Sequence, residues 1–191
     1  MLQFTEGLHF QLSHETKDKL FNYRYQVFVK QLGWELDVQP NLEVDQFDHD
    51  QTLYIIATDD KDIVGCARLL PTTLPYLLEE VFPELLNGMP PPKEDTIWEL
   101  SRFTSMDLKS NQSTPKDQLS NSTTAALIKK SMSVARRHGA KYIISVSPIG
   151  IERLLRGLDI TAHRAGPPKI IDGYPLVACW IDLLENQDRY Y

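Results

Sequence analysis

TIWELSRF, residues 96–103, sets a glutamate, a serine and an arginine inside a run that otherwise has the composition of a core strand. Ile97, Trp98, Leu100 and Phe103 suit a pleated, half-buried surface. Strict alternation puts Ile97, Glu99, Ser101 and Phe103 on one face and Trp98, Leu100 and Arg102 on the other. For Glu99 and Arg102 to serve one site, a bulge or strong twist must re-aim one of them. An acid on a core strand is expensive without a partner or a task, so this strand reads as the wall of a polar cavity.

The flanking segments repeat the pattern. TLYIIAT (52–58) and IVGCARLL (63–70) read as strands joined by the turn DDKD, with Arg68 late in the second strand among apolar neighbours. Residues 15–32 read as an amphipathic helix on Leu20, Tyr23, Val27, Phe28 and Leu32, ended by Gly33. Arg24 lies four residues before Phe28 and shares its face, so it needs an anionic partner. Residues 35–50 form an acidic loop, long for a compact domain, that carries Asp45 and Asp48. Arginines and carboxylates so placed are rarely buried unpaired. Together they point to one ionic cavity.

Beyond this region, residues 75–87 suggest a short helix, broken by MPPPKED. Residues 107–120 are polar. Residues 121–138 form a helix with Leu127, Ile128, Ser131, Val134, Ala135 and His138 on one side, Ser120 or Asn121 as its N-cap and Gly139 as its C-cap. KYIISVS (141–147) is a strand and IGIERLLRG (149–157) a short helix. A final hairpin runs from about 159–171 to 174–183, with Gly-Pro-Pro at 166–168. Strands and helices alternate irregularly, so the 191 residues are expected to form one mixed α/β domain.

Composition excludes several function classes. With 42% hydrophobic residues the chain is not disordered. No apolar run approaches the roughly 20 residues of a membrane span, and no signal peptide is visible, so a cytoplasmic location and no membrane partner are expected. Cys66 and Cys179 sit in apolar runs and read as buried thiols, and the five histidines lack ligand spacing, so no metal is expected. No basic stripe interleaved with aromatics suggests nucleic acid. Residues 1–100 carry 7 Lys+Arg against 18 Asp+Glu, whereas residues 101–191 carry 13 against 8. Such halves can steer a cationic and an anionic partner to different faces.

No GxSxG, reactive-cysteine or phosphate-binding glycine motif occurs. What remains is carboxylates with arginines and aromatics. Carboxylates hold ammonium or sulfonium groups, Phe28 and Trp34 add cation–π attraction, arginine clamps a carboxylate bidentately, and a carboxylate can deprotonate an attacking amine.

The segments YRYQVFVKQLGW (23–34), DQFD (45–48), GCARLLPT (65–72) and WELSRF (98–103), with a weaker match in ISVSPIGIERLL (144–155), resemble the acyl-homoserine-lactone synthases, the autoinducer synthases of bacterial quorum sensing. The resemblance implies a single N-acetyltransferase-like α/β/α sandwich over 1–191, with a twisted mixed sheet opening in a V between WELSRF and KYIISVS. It implies a mobile N-terminal region over about 1–50 that closes over the substrate, and an acyl-chain and carrier-protein half over about 100–191. The implied reaction acylates the amine of S-adenosylmethionine from acyl carrier protein, with acyl-CoA a possible donor. The methionine carboxylate then closes the lactone and methylthioadenosine leaves. S-Adenosylmethionine is thus a substrate, and no cofactor is implied.

Carried over residue by residue, Glu99, Asp45 and Arg102 would be catalytic, with Glu99 the base, acting directly or through water. Arg24, Phe28, Trp34, Asp45, Asp48, Arg68 and Arg102 would form the S-adenosylmethionine pocket, Arg68 chiefly tying the acidic loop to the sheet. Ser101, Phe103, Met106, Leu127, Ser145, Ser147 and Ile149 would line the acyl chain. Members preferring a 3-oxo chain often have threonine near Ser145, so the 3-substituent stays open here. Lys129, Lys130, Arg136, Arg137 and Arg153 are expected to face the carrier protein. Two competitors are an ordinary acetyl-CoA N-acetyltransferase, whose glycine-rich pyrophosphate loop is missing around 107–123, and a catalytically dead binding module.

Overall fold

A computed structural model describes residues 1–109 and 122–186. The expected 107–120 loop and the Ser120 or Asn121 cap fall largely outside them. The chain divides into two compact units, Met1–Arg68 with Arg102–Lys130 and Leu69–Ser101 with Ser131–Tyr191.

The first unit opens with β1 (Leu2–Leu8), a strand not among those expected from the sequence. It pairs antiparallel with β2 (Leu53–Asp59) over its full length, Leu2 opposite Asp59 and Leu8 opposite Leu53. Helix α1 (His14–Arg24) starts at Ser13, whose Oγ accepts the Thr16 N–H at 3.1 Å. The expected helix over 15–32 does not continue as one form. Tyr25–Gln31 is a π-helix, closed by the Leu32 N–H on Val27 O at 2.9 Å. Such wide turns are often found at functional sites. Gly33 ends it at φ +70, and the Trp34 N–H returns to Phe28 O at 2.9 Å. The core of this unit gathers Leu20, Phe21, Tyr23, Val27, Phe28, Tyr54, Ile56, Cys66 and Met106.

Strand β3 (Asp62–Pro71) forms where a strand over 63–70 is expected, while a Leu77–Glu80 helix (α2) and a Pro83–Leu86 3-10 turn take the place of the single short helix expected over 75–87. Pro83 has no N–H to continue it. β4 (Ile97–Thr104) carries WELSRF. Its alternation breaks at Arg102, which sits at φ +50, the left-handed conformation that re-aims a side chain where a bulge was expected. Gly65 on β3 lies close to the end of β4: a Cβ there would come within 3.0 Å of Thr104 O. Helix α3 (Ser122–Arg137) buries Thr124, Leu127, Ile128, Ser131, Met132, Val134 and Ala135, as its periodicity predicts, but leaves His138 beyond it exposed. Gly139 ends the helix at φ +92 with its N–H on Arg136 O at 2.9 Å.

In the second unit β5 (Tyr142–Pro148) runs parallel to β4, Ile97 opposite Tyr142 through Glu99 opposite Ile144. After α4 (Ile151–Gly157), the expected strand over 159–171 is two short pieces, β6 (Ala162–Arg164) and β7 (Lys169–Ile171). Both pair antiparallel with β8 (Tyr174–Asp182). Pro167 and Pro168 cannot donate to the ladder, and Gly166 packs where a Cβ would meet Asn87 Cβ at 2.7 Å. β5 and β8 pair antiparallel from Tyr142–Asp182 to Pro148–Leu176. The hydrogen-bonded strand order is β1-β2-β3-β4-β5-β8-β6, with β7 beside β8. No described helix is long and apolar enough to cross a membrane.

Candidate active site

Helix α1 ends on Arg24, β3 carries Arg68, and the left-handed turn of β4 aims Arg102 at the same loop. That loop answers with three acids, Glu43, Asp45 and Asp48. Arg24 donates Nε to Glu43 at 2.5 Å and its two terminal nitrogens to Asp48 at 2.8 and 2.9 Å. Arg102 donates to Glu43 at 3.0–3.2 Å and to Asp45 Oδ2 at 2.7 Å. Arg68 reaches Asp45 Oδ1 at 2.6 Å and Asp48 Oδ1 at 3.2 Å. Three cations and three anions thus form one closed, charge-balanced network.

Burial is nearly complete: Arg24, Glu43, Arg68 and Asp48 are enclosed, and the Asp45 side chain, at 15% exposure, is the most open of the acids. Burial alone would neutralise these groups, but the pairing overrides it. Desolvation works against the Asp48 carboxylate, yet Arg24 and Arg68 hold it well below its usual range. Burial opposes the Glu43 charge too, but Arg24 and Arg102 favour it and bring its pKa down. Desolvation likewise disfavours the Arg24 cation, while Asp48 and Glu43 keep it protonated.

Because the Asp48 and Glu43 carboxyls titrate below their ordinary 3.8 and 4.5, the unfolded chain takes up more protons in acid. Their contribution to stability is therefore full above those ordinary values and is lost as pH falls towards the folded ones. Urea midpoints should fall only slightly from pH 7 to about 5 and steeply below about 4.5. A midpoint unchanged down to pH 3 would contradict this pairing.

Aromatic rings close one edge of the network. Phe28 and Trp34 stack at 4.7 Å and 26°. The Arg102 guanidinium lies 5.7 and 5.6 Å from their centroids. Trp34 is 39% exposed, so this edge is open to solvent. Arg68 lies 5.6 Å from the ring of Phe47, also on the acidic loop. The structure brings the expected Arg24, Phe28, Trp34, Asp45, Asp48, Arg68 and Arg102 together and adds Glu43, the anion shared by Arg24 and Arg102. Its signal was present, an acid two residues before Asp45 in an acidic loop.

Glu99 belongs to the second unit and is fully buried. Its carboxylate accepts the backbone N–H groups of Leu77 at 3.1 Å and Leu78 at 2.7 Å, fastening the first turn of α2. Tyr76 beside it is also buried and donates to Pro92 O at 2.9 Å. Beyond the last β4–β5 pair, Glu99 opposite Ile144, lie Ser101, Ser145 and Ser147, all buried. The Ser145 and Ser147 hydroxyls bond one another at 3.0 Å.

The other expected residues divide between the units. Met106 and Leu127 are buried in the first unit, and Phe103 is half-buried there. Ile149 in the second is 42% exposed. Of the basic residues, Lys129, Arg137 and Arg153 are exposed. Lys130 pairs with Glu6 at 2.8 Å, and Arg136 donates to Leu183 O at 3.4 Å. Burial pushes the Cys66 and Cys179 thiols up to about 12, so neither is a ready nucleophile. Among the described residues no group of His, Cys, Asp and Glu is arranged to hold a metal.

The fold is similar to that of a putative N-acetyltransferase from Lactobacillus plantarum, 16% identical, at a TM-score of 0.65 over 95% of this chain and 98% of that one. That likeness speaks for fold alone. Residues 9–187 match the family model of the autoinducer synthases. An acyl-homoserine-lactone synthase of Acinetobacter nosocomialis is 50% identical over 181 residues, 94% of each chain. The crystal structure of TofI in a ternary complex with an inhibitor and MTA aligns at a TM-score of 0.79 with 39% identity, covering 96% of this chain and 91% of that one. The chain belongs to the autoinducer synthase family. Its activity is that of an acyl-homoserine-lactone synthase, an acyltransferase.

Proposed function

We propose that the acyl donor is acyl carrier protein and that S-adenosylmethionine occupies the ionic network of the first unit. The observation that carries this reading is the buried Arg24–Glu43–Arg102–Asp45–Arg68–Asp48 network with the Phe28–Trp34 stack at its open edge. The sulfonium cation suits the π faces of Phe28 and Trp34 and the less buried Asp45. The substrate carboxylate suits the arginines. Since each charge already has a partner inside the protein, the pocket is preorganised for a zwitterion carrying an extra cation.

The reaction balances with substrates alone. Glu99, directly or through a water, takes a proton from the amine, and the nitrogen attacks the thioester carbonyl. The C–S bond breaks and the carrier leaves as its thiol. The methionine carboxylate then attacks its own side-chain carbon next to sulfur. The lactone C–O bond forms, the C–S bond breaks, and the sulfonium electron pair returns to sulfur as methylthioadenosine departs. No cofactor is needed. The acyl chain takes the space beyond the last β4–β5 pair, beside Ser101, Ser145 and Ser147. One hydroxyl proton of the Ser145–Ser147 pair is used between them, and the other is available to a substituent at carbon 3. Ile149 extends the acyl set within the second unit, and the exposed Arg153 there offers positive charge to the acidic carrier.

Purified protein incubated with S-adenosylmethionine and a series of acyl carrier proteins bearing short to long chains should yield one dominant lactone, with equimolar methylthioadenosine by mass spectrometry. The matching acyl-CoA series should give a much lower kcat/KM. Equal or better turnover with acyl-CoA would overturn the carrier assignment.

A further inference from the structure

The acidic loop has neither helix nor strand around Asp48, yet Asp48 must hold the Arg24 fork in a fixed plane. Its fixed reference is Tyr54 on β2, whose hydroxyl donates to Asp48 Oδ1 at 2.8 Å. Tyr54 is buried and lies opposite Gly7 in the β1–β2 ladder. His9, just past β1, donates its own N–H to Thr52 O at 2.8 Å. Its ring Nδ1 lies 3.1 Å from the Tyr54 oxygen. Because the hydroxyl proton goes to Asp48, His9 Nδ1 carries the hydrogen of that second bond. Phe21 of α1 packs against both rings, 6.2 Å from His9 and 6.1 Å from Tyr54, with the Arg24 guanidinium 5.3 Å from the Phe21 centroid.

We infer that His9 and Tyr54 are positioning residues, a hydrogen-bonded column that carries the geometry of the β1–β2 ladder to Asp48 and through it to the Arg24 fork that orients substrate. This rests on the reading of the ionic network as the S-adenosylmethionine pocket. Burial and Asp48 keep the Tyr54 hydroxyl protonated far above neutrality, so it is a permanent donor. His9 is the titrating end. Burial, Lys17 on α1 and His49 lower its pKa, while Asp48 and Asp50 of the loop raise it, with a net fall below 6.5. It is therefore neutral at pH 7. On acidification it adds a cation behind Asp48, which opposes a cationic ligand.

The test is calorimetric binding of S-adenosylmethionine from pH 5.5 to 8 to the wild type, Tyr54→Phe, His9→Gln and Asp48→Asn, with thermal melts and both substrates' KM values. Loss of a hydrogen bond to a charged group predicts binding about tenfold weaker in Tyr54→Phe. The KM of the acyl donor should stay within twofold, a split that general destabilisation would not produce. Wild-type affinity should fall below pH 6.5, and His9→Gln should flatten that acid limb, which covers the case of a Tyr54 variant that fails to fold. If Asp48→Asn weakens binding while Tyr54→Phe binds like wild type and the limb persists in His9→Gln, the column has no positioning role. If Asp48→Asn also binds like wild type, the pocket reading falls, and the column's role falls with it.

Discussion

Glu43→Gln should destabilise the protein by about 3–5 kcal/mol, the usual effect of removing one partner from a buried ionic network. Glu43 is fully buried and is the counter-ion shared by Arg24 and Arg102. Glutamine keeps the volume but removes the charge, leaving three arginines against two carboxylates. For a chain of this size the melting temperature should drop by roughly 6–20 °C. Asp45→Asn is the internal comparison. Its carboxylate is 15% exposed, so water can solvate what the substitution leaves unpaired, and the drop should be less than half as large. Differential scanning calorimetry decides between them. A Glu43→Gln melt within 2 °C of the wild type would mean that Glu43 is not the anion that holds the two arginines. The effect is large because total stabilities lie at only about 5–15 kcal/mol.

The second large effect concerns Glu99→Gln, and it separates two duties of one carboxylate. Both Glu99 oxygens accept backbone N–H groups of α2, from Leu77 and Leu78. Glutamine can accept from one and presents an NH2 to the other, so stability should fall by about 1–3 kcal/mol. If Glu99 is also the base that frees the amine, kcat should fall by about 10²–10⁴ while both KM values stay near wild type. Acylation and methylthioadenosine release should fall in parallel, because lactone closure follows the amide step. A variant with kcat within fivefold of the wild type would leave Glu99 as the anchor of Leu77 and Leu78 and send the search for the base elsewhere. By sequence alone, an acid on a core strand needs a partner or a task. The structure supplies a structural one, which explains the burial of Glu99 without reference to chemistry.

Much of the architecture was legible because it is written in local patterns. Apolar runs marked β2, β3, β5 and β8, alternation marked β4, and the α3 stripe from Leu127 to Ala135 followed the helical period. β1 was passed over because only Leu2, Phe4 and Leu8 mark it. Its order comes from β2, which pairs with every residue of it. The π-turn over Tyr25–Gln31 was invisible for a similar reason. Periodicity places Val27 and Phe28 on a buried face but cannot distinguish one backbone hydrogen-bond register from the next. Arg102 was flagged as a place where alternation had to fail if the site was to form, and its φ of +50 is where the strand departs from the pleat.

The sequence by itself determined which charges had to be reconciled. Arg24, Arg68 and Arg102 stood in segments too apolar to leave them in water, and three carboxylates were needed to neutralise them. It also carried the family, through several short motifs in a fixed order. Only the tertiary structure decided the pairing: that Glu43 is the shared anion, that Asp48 takes the Arg24 fork, and that Tyr54 and His9 stand behind it. The reason is physical. Burial of a charge depends on what lies nearby on a single chain stretch, whereas the ion pairing depends on groups brought together from 19 to 59 residues apart. Such distances are set by strand order and loop path, which no local pattern records.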